Sequence, residues 1–426
     1  MKNSNYGYTP AEYKKFRLNA WVYLLLFSLL YCAHYCTRLN FSNAKVVMDL
    51  SKEEIGIITS SLFWCYGIGH LVNGRLGEIV GVRRFITLSV VLSAATNILM
   101  GFQSSVLIMA ILWGFNGFFQ SMAWSPGVSS LTAWWPSDRR GFATGFANAF
   151  SGFGEVAAKC MVLLGFAILP ALGWRSAFFV PAALPLIVLV IYLIFAKSGP
   201  KSIGLKDYEE DDVRAEKESE MTAIVKEKGV LYPYVHLLKN KLFLVWVFVV
   251  FSSGLARYGL ATWIPDYLKE KGLGITSSIL TSIVLPIGMG IGTLIIPTLT
   301  DKFCPNNRLL AGVVSGFAAA ACIVGFMLLK PQGIQLALML VLLFFAGFFI
   351  YAINGVVWTF AADVGGRVFA STAAGILDFA AYMGAAIQSM LFGFILGDGN
   401  WNILFISVSA FCFVIAIVSL VCSKKK

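Results

Sequence analysis

The chain has 426 residues, of which 58% are hydrophobic and only 13% are charged. Soluble globular proteins carry about twice that share of charged residues, and a compact soluble domain of this length could not bury so much apolar surface. The composition therefore excludes a soluble enzyme, a nucleic-acid-binding protein and a disordered chain. It predicts instead a protein whose apolar surface faces a lipid bilayer.

Apolar segments separated by short polar turns predict an all-α polytopic membrane protein with twelve transmembrane helices. The predicted helices begin near Trp21, Ile55, Phe85, Ser105, Gly141, Trp174, Leu242, Ser277, Leu309, Ile334, Val368 and Trp401. One long polar stretch divides them six and six. We therefore expect an N-terminal six-helix bundle in residues 1–196, a cytoplasmic linker in 197–241 and a C-terminal six-helix bundle in 242–426.

The basic residues are distributed unevenly between the predicted connections. If both termini are cytoplasmic, 24 of the 33 Lys and Arg residues fall on the cytoplasmic side, six on the opposite side and three within helices. This bias follows the positive-inside rule. The net charge of +11 therefore indicates orientation in the cell (inner) membrane, with no nucleic-acid partner. The sequence shows no metal-ligand spacing, disulfide framework or nucleotide-binding loop, so we expect no cofactor and no enzymatic activity.

Short motifs recur in the second half of the chain at a nearly constant offset. The segment Gly-Phe-Phe at 117–119 recurs 230 residues later at 347–349. Arg38 and Arg257, 219 residues apart, fall in the first helix of each half. The repetition predicts two pseudo-symmetric six-helix halves. Such halves place a substrate site near the bilayer midplane at their interface.

Arg38 and Arg257 lie inside predicted helices 1 and 7, where an ionised side chain costs roughly 2.5–3.5 kcal/mol on insertion scales. Neither helix carries an acid close to its arginine. Each guanidinium presents a planar fork that matches a carboxylate or a phosphate, and two of them balance the charge of a phosphate monoester. We therefore predict that the pair binds a small phosphorylated anion. The alternative is that each arginine snorkels to an interface or forms a structural ion pair.

Other polar groups occur at similar depths. Glu155 and Lys159 are spaced to form an ion pair within helix 5; the alternative is that substrate competes for Lys159. Asp378 could carry a proton or accept a hydrogen bond from substrate, and His70 could bind the anion or only donate within the core. Further aromatic and amide groups that could converge on a small-molecule site are Tyr35, Asn116, Gln120, Trp124, Asn148, Tyr258, Tyr351, Asn354 and Tyr382.

The polar connections after helices 2 and 8 are also related. The first contains Glu78 and Arg83, and the second contains Asp301 and Arg308, 223 to 225 positions later. We assign these four residues to gating and coupling, together with Glu155 and Lys159.

Motifs distributed over the whole chain resemble one family. They are Tyr35-Cys-Thr-Arg38-Leu-Asn40-Phe41, Trp124-Ser-Pro126, Trp134-Trp135-Pro136 with Arg140-Gly141, Arg257-Tyr258-Gly259 with Trp263 and Pro265, Asp301-Lys302 with Asn307-Arg308, Thr372-Ala-Ala-Gly375 and Tyr382-Met-Gly384. In this order they resemble the organophosphate:phosphate antiporters of the major facilitator superfamily, which include bacterial glycerol-phosphate and hexose-phosphate transporters. The connection at 74–84 resembles that superfamily's glycine–aspartate–arginine loop, with Glu78 in place of the usual aspartate.

The resemblance implies a major facilitator fold in which Arg38 and Arg257 hold the phosphoryl group of the substrate. The same cavity would be lined by Tyr35, Trp124, Tyr351 and Tyr382. The resemblance also implies rocker-switch alternating access that exchanges a sugar phosphate, glycerol phosphate or similar compound for inorganic phosphate. Two alternatives stay open. One is a proton-coupled organic-anion symporter that uses Asp378 or His70, and the other is a non-transporting sensor of hexose phosphate that signals to a membrane kinase.

Overall fold

The computed structural model describes residues 7–136, 139–206, 224, 227–229, 231–304, 307–397 and 399–423. Within these ranges, positions 74, 75, 78, 79, 125, 129, 132, 140, 141, 301, 358, 359, 361–368, 370 and 371 are described only by their backbone. The described residues form helices and their connections, without a strand among them.

Twelve helical segments of the described chain are long and apolar enough to cross a membrane, which confirms the predicted number. We number them as spans 1 to 12 in chain order: Pro10–Val47, Lys52–Asn73, Val82–Gly101, Val106–Val128, Phe142–Ile168, Pro170–Phe195, Lys241–Glu270, Ile275–Thr300, Leu309–Met327, Gly333–Val357, Thr372–Gly397 and Trp401–Ser423. Because the number is even, span 1 begins and span 12 ends at the same end of the bundle. We call this the terminal end and the opposite end the distal end.

The helices differ from the spans in detail. The α-helices are Pro10–His34, Phe41–Ala44, Lys52–Val80, Val82–Gly101, Val106–Trp134, Arg140–Ile168, Ser176–Phe195, Tyr232–Leu238, Lys241–Glu270, Ile275–Thr281, Val284–Phe303, Leu309–Met327, Gly333–Gly397 and Trp401–Ser423, and 3-10 turns cover Tyr35–Thr37, Lys45–Val47, Pro170–Arg175 and Pro200–Ile203. Spans 10 and 11 belong to one helical run, Gly333–Gly397, although the sequence predicts a separate helix from about Val368. The connection at 358–371 contains no proline, so every residue there keeps the backbone donor that helical hydrogen bonding needs.

Side-chain caps fix where spans 1 and 2 begin. Thr9 accepts a hydrogen bond from the backbone N–H of Glu12, and the Glu12 carboxylate accepts one from the N–H of Thr9. Ser51 and Glu54 form the same capping box at the start of span 2. Each box satisfies two backbone donors that a first helical turn leaves without a partner, so it defines the entry of the chain into the bundle.

Span 1 is not one continuous α-helix. A 3-10 turn, Tyr35–Thr37, interrupts it just before Arg38. Amide side chains from neighbouring spans satisfy the backbone at this break, because Asn97 and Asn116 each donate to the Thr37 carbonyl at 2.8 Å. Such partners are needed at membrane depth, where lipid offers no hydrogen bonds. The break and its partners fix the position of Arg38 within the N-terminal half.

Buried apolar side chains form three clusters. The buried members of one lie within residues 8–205, and those of a second lie within 237–415. The third cluster joins the two halves and includes Phe63 and Tyr66 of span 2 with Tyr258 of span 7. The first two clusters are consistent with two packed halves, while the predicted borders at 196 and 242 stay predictions.

The two halves meet closely at the distal end. A Cβ added at Gly56 of span 2 would lie 2.6 Å from the Ser389 carbonyl oxygen of span 11, so this approach needs glycine. At the terminal end, a Cβ added at Gly145 of span 5 or Gly375 of span 11 would meet nothing within 4 Å. The halves are therefore in contact at the distal end, and the Cβ positions of Gly145 and Gly375 at the terminal end face open space.

Candidate functional site

A small cavity lies between the two halves. Its volume is about 30 Å³, which holds about two or three water molecules by the same measure. Eight of the nine side chains predicted to bind substrate line it: Tyr35, His70, Trp124 and Asn148 from the N-terminal half, and Arg257, Tyr351, Asp378 and Tyr382 from the C-terminal half. The ninth, Arg38, does not line the cavity, but its guanidinium contacts the ring of Tyr35, which does. The structure thus brings the predicted residues together, and their role in binding stays a prediction.

Arg38 is buried against two aromatic rings that line the cavity. Its guanidinium carbon lies 3.7 Å from the centroid of the Tyr35 ring and 5.0 Å from that of the Tyr66 ring. Both rings attract the cation through their quadrupoles, but neither neutralises its charge. The Nε and Nη2 atoms of Arg38 make no hydrogen bond to any described residue. Arg38 therefore carries a buried positive charge with two unused donors, a combination that favours an incoming anion.

Arg257 occupies the corresponding place in the other half, and its charge is paired. Its Nη2 donates to the carboxylate of Glu155 in span 5, and its Nη1 donates to the Tyr258 hydroxyl at 3.3 Å. The guanidinium carbon lies 3.9 Å from the centroid of the Tyr351 ring. The Arg257–Glu155 ion pair crosses the interface between the halves. An anion that binds Arg257 would therefore compete with Glu155.

The predicted local ion pair between Glu155 and Lys159 is wrong. Among the described residues, the ion-pair partner of Glu155 is Arg257. The ammonium of Lys159 donates instead to Ser282 Oγ at 2.7 Å and to Asn43 Oδ1 at 3.3 Å. Helical spacing permits the local pair, but the buried guanidinium offers Glu155 a planar set of donors from the opposite half. Lys159 consequently joins span 5 to span 8.

His70 and Asp378 face each other across the interface. His70 Nδ1 lies 3.9 Å from an Asp378 carboxylate oxygen, and the imidazole lies parallel to the Tyr382 ring with 5.8 Å between centroids. A protonated His70 would form an ion pair with Asp378, whereas a neutral one would not. The cavity therefore holds titratable groups in addition to its arginines.

Two amides that the sequence suggests for the site serve the fold instead. Asn116 donates to the Thr37 carbonyl, and Gln120 donates to the Thr37 hydroxyl at 2.9 Å. Asn148 and Asn354 do line the cavity. The difference depends on the break in span 1, which creates backbone acceptors that a continuous helix would not expose.

The sequence matches the family model of the Major Facilitator Superfamily over residues 18–389. The chain belongs to the major facilitator superfamily. Membership indicates a multi-pass membrane transporter and not an enzyme.

Relatives of this facilitator include named transporters of phosphorylated compounds. The glycerol-3-phosphate transporter of Bacillus subtilis (strain 168) is 30% identical over 96% of this chain and 93% of that protein. The probable hexose phosphate transport protein of Chlamydia muridarum is 29% identical over 96% of this chain and 91% of that protein. The resemblance to organophosphate:phosphate antiporters is thereby confirmed.

A solved structure shares the fold of this facilitator. It is a bacterial homologue of the human lysosomal transporter Spinster, with a TM-score of 0.73, 16% sequence identity and coverage of 95% of this chain and 97% of that one. At this identity the likeness concerns the fold alone. The predicted major facilitator fold is confirmed.

Two of the four residues assigned to gating at the terminal end of the facilitator, Arg83 and Arg308, have described side chains. Arg83 donates to the carbonyl of Leu193 in span 6. Arg308 is the residue from which the helix of span 9 begins. The side chains of Glu78 and Asp301 lie outside the part of the chain that the structure describes. The gating role of all four stays a prediction.

The distal contact contains an ion pair that the sequence analysis missed. Lys45 Nζ lies 2.6 Å from Asp266 Oδ2, and the two side chains are 0% and 7% exposed. The same ammonium lies 3.9 Å from the centroid of the Trp263 ring. The repeated sequence of the two halves could have predicted this ion pair, because Lys45 follows Arg38 by seven residues and Asp266 follows Arg257 by nine. Opposite charges at similar places in corresponding helices favour contact between the halves.

A second distal ion pair is more exposed. Lys52 Nζ lies 2.5 Å from Glu270 Oε1, and the side chains are 20% and 43% exposed. The indole N–H of Trp401 also donates to Glu270, at 2.7 Å. Together with the Lys45–Asp266 pair, these contacts close the interface at the distal end.

Proposed function

We propose that this facilitator is a secondary active transporter that moves a small phosphorylated organic anion in exchange for inorganic phosphate. A sugar phosphate or glycerol phosphate is the expected class, and the names of the relatives support it. The protein lies in the cell (inner) membrane with both termini in the cytoplasm, as the positive-inside bias indicates.

The observation that carries the proposal is the contrast between the two buried arginines. Arg38 has two donors without a partner among the described residues, and Arg257 shares its guanidinium with Glu155. A phosphoryl group accepts hydrogen bonds from Arg38 and replaces the Glu155 carboxylate at Arg257. Both guanidiniums then share one anion, which suits the charge and the planar geometry of a phosphate monoester.

Rocker-switch alternating access is the motion that this geometry supports. The halves are in contact at the distal end, where Gly56 approaches the Ser389 carbonyl oxygen, and open space lies beside Gly145 and Gly375. A cavity of about 30 Å³ cannot hold a sugar phosphate, so the halves must separate further to admit one. A bound anion that touches both arginines would favour closure around itself.

Exchange in liposomes tests this proposal. Purified protein in liposomes loaded with inorganic phosphate should take up radiolabelled phosphate, and phosphorylated sugars or glycerol phosphate should compete. Arg38→Lys and Arg257→Lys should each lower exchange by about 100-fold, since an ammonium replaces a bidentate donor and a charge-assisted hydrogen bond is lost.

The matched control is Lys239→Arg, which keeps the charge at an exposed position outside the spans. Wild-type exchange by both arginine variants would refute the two-arginine site. Binding of phosphorylated compounds without flux in the wild-type protein would refute transport and favour the sensor with its membrane kinase partner.

The contact between His70 and Asp378 favours a second candidate, proton-coupled symport of an organic anion. If protons drive uptake, an imposed pH gradient should suffice in liposomes without internal phosphate, and Asp378→Asn should abolish that uptake. Uptake that requires internal phosphate and ignores the gradient would exclude this candidate.

A further inference from the structure

A second cavity lies at the terminal end of the N-terminal half, away from the candidate substrate site. It lies between the beginning of span 1 and the connection from span 4 to span 5, and its volume is about 310 Å³. Its walls are mainly aromatic and include Trp21, Trp134, Trp135 and Phe142. Tryptophan is enriched where a membrane protein meets the headgroup region of the bilayer, which is the depth expected for this end of the spans.

The rings of this cavity are in mutual contact. Trp21 meets Trp135 edge-on, with centroids 5.3 Å apart, and meets Phe142 edge-on at 5.8 Å. Such edge-on pairs stabilise a fixed arrangement of aromatic walls. The cavity is therefore a preformed apolar cleft that remains open at the surface of the bundle.

A stripe of phenylalanines continues from the cavity along span 5. Consecutive rings of Phe142, Phe146, Phe150 and Phe153 have centroids 6.0, 5.2 and 5.7 Å apart. Phe142 is 53% exposed and Phe153 is 64% exposed. At 1.5 Å of rise per residue the stripe is about 16 Å long, close to one leaflet of a hydrocarbon core of about 30 Å.

The other faces of span 5 are occupied by protein. A Cβ added at Gly154 would lie 2.8 Å from the Cys32 carbonyl oxygen of span 1, and one added at Gly152 would lie 3.1 Å from the Cα of Gly290 in span 8. Ser151 lies on a third side, with its hydroxyl 3.4 Å from that of Tyr351. The phenylalanine stripe consequently faces the bilayer.

Two arginines lie where the stripe reaches the headgroup region. Arg17 and Arg139 line the cavity, and both are exposed. Guanidinium groups match the oxygens of a phosphodiester, and basic pockets between spans bind anionic lipid headgroups. We propose that this cleft binds an anionic phospholipid, with its phosphate at Arg17 and Arg139 and an acyl chain along the phenylalanine stripe.

Native mass spectrometry of the full chain in detergent tests the charge requirement. Phosphatidylglycerol should remain bound, whereas phosphatidylcholine with the same acyl chains should not. The double variant Arg17→Gln/Arg139→Gln should bind phosphatidylglycerol on the order of 20-fold more weakly. The matched control is Lys239→Gln/Lys241→Gln, which removes two exposed charges at the same end of the other half and should bind as the wild type does.

Further variants separate lipid binding from a folding defect. Arg17→Lys/Arg139→Lys keeps both charges and should keep the preference for phosphatidylglycerol, while Phe142→Ala/Phe150→Ala should weaken binding of long-chain lipid. Equal binding of the two lipids, or equal binding by the Gln variant and its control, would overturn the proposal. Displacement of the lipid by inorganic phosphate alone, or a protein dimer at this surface in place of lipid, would also overturn it.

Discussion

Arg38 and Arg257 differ in the charge that surrounds them, although they hold corresponding places in the two halves. Arg257 forms a buried ion pair with Glu155, and Arg38 has no ion-pair partner among the described residues. The sequence predicts that both arginines approach one cavity, because duplicated helices place them at similar depths. It does not predict the Glu155–Arg257 pair, because Glu155 has a basic residue nearer in sequence and the actual partner lies across the interface.

The pairing leads to a prediction for Glu155→Gln. Removing the carboxylate leaves Arg257 as an uncompensated buried charge, so the protein should be less stable without ligand and should bind phosphate about 10-fold more tightly, a gain of about 1.4 kcal/mol. A thermal-shift titration with inorganic phosphate measures both effects, because a ligand of the native state raises apparent stability.

The control for this variant is Glu227→Gln, an exposed carboxylate outside the spans. It should leave stability and phosphate affinity unchanged. An unaltered phosphate affinity in Glu155→Gln would show that Glu155 and phosphate do not compete for Arg257.

At the scale of the secondary-structure element, the main feature of span 1 is the 3-10 turn that interrupts its helix. Hydropathy predicts the twelve spans because each contains a long apolar segment. It does not predict the break at Tyr35–Thr37, which contains neither proline nor glycine. The signal lies in other spans, where Asn97 and Asn116 are buried and donate to the freed carbonyl. A buried amide in an apolar helix can therefore indicate a hydrogen bond to the backbone of a neighbouring helix as well as one to a ligand.

Asn116→Leu should reveal how much this break depends on its partners. Loss of the hydrogen bond to the Thr37 carbonyl should lower the free energy of unfolding by about 1–2 kcal/mol. It should also lower phosphate exchange, because Arg38 follows the break directly. Unfolding in mixed micelles and exchange in liposomes measure the two effects.

Asn402→Leu is the matched control, since it changes an exposed amide at the start of span 12. If Asn116→Leu retained the stability and exchange of the wild type, the break would be maintained by other contacts.

For the whole molecule, the distal end holds the halves together with ion pairs of unequal burial. Lys45 and Asp266 are almost fully buried, whereas Lys52 and Glu270 are partly exposed. Breaking a buried pair by removing one partner costs about 3–5 kcal/mol, while an exposed pair contributes about 0–1 kcal/mol. The buried pair is therefore expected to dominate the closure of this end.

Lys45→Met should destabilise the distal contact strongly and shift the protein toward a conformation open at that end. Lys52→Met should do so only slightly, which makes it the matched control. The double variant Lys45→Met/Asp266→Leu should recover much of the loss, because it replaces the pair with apolar side chains. Thermal stability and exchange rates of the single and double variants measure the energetic coupling between Lys45 and Asp266. Losses that simply add in the double variant would contradict that coupling.

Most of the architecture can be predicted from the sequence, because hydropathy, charge bias and repetition each describe the whole chain. The contacts between the halves cannot be predicted in this way, because they depend on how the two halves are placed relative to each other in one conformation. Lys45 shows the limit: its charge predicts a position outside the hydrocarbon core, yet in this arrangement it is fully buried against Asp266 and Trp263.

The break in span 1 has a consequence for size selection. Hydrogen bonds from spans 3 and 4 fix the backbone just before Arg38 to the N-terminal half, while Arg257 lies within the unbroken helix of span 7. The distance between the two guanidiniums therefore depends directly on the gap between the halves. One phosphoryl group held by both guanidiniums would draw the halves together, and the rest of the substrate would limit how far they can close. Selection by the size of the organic part would then need no dedicated pocket for it.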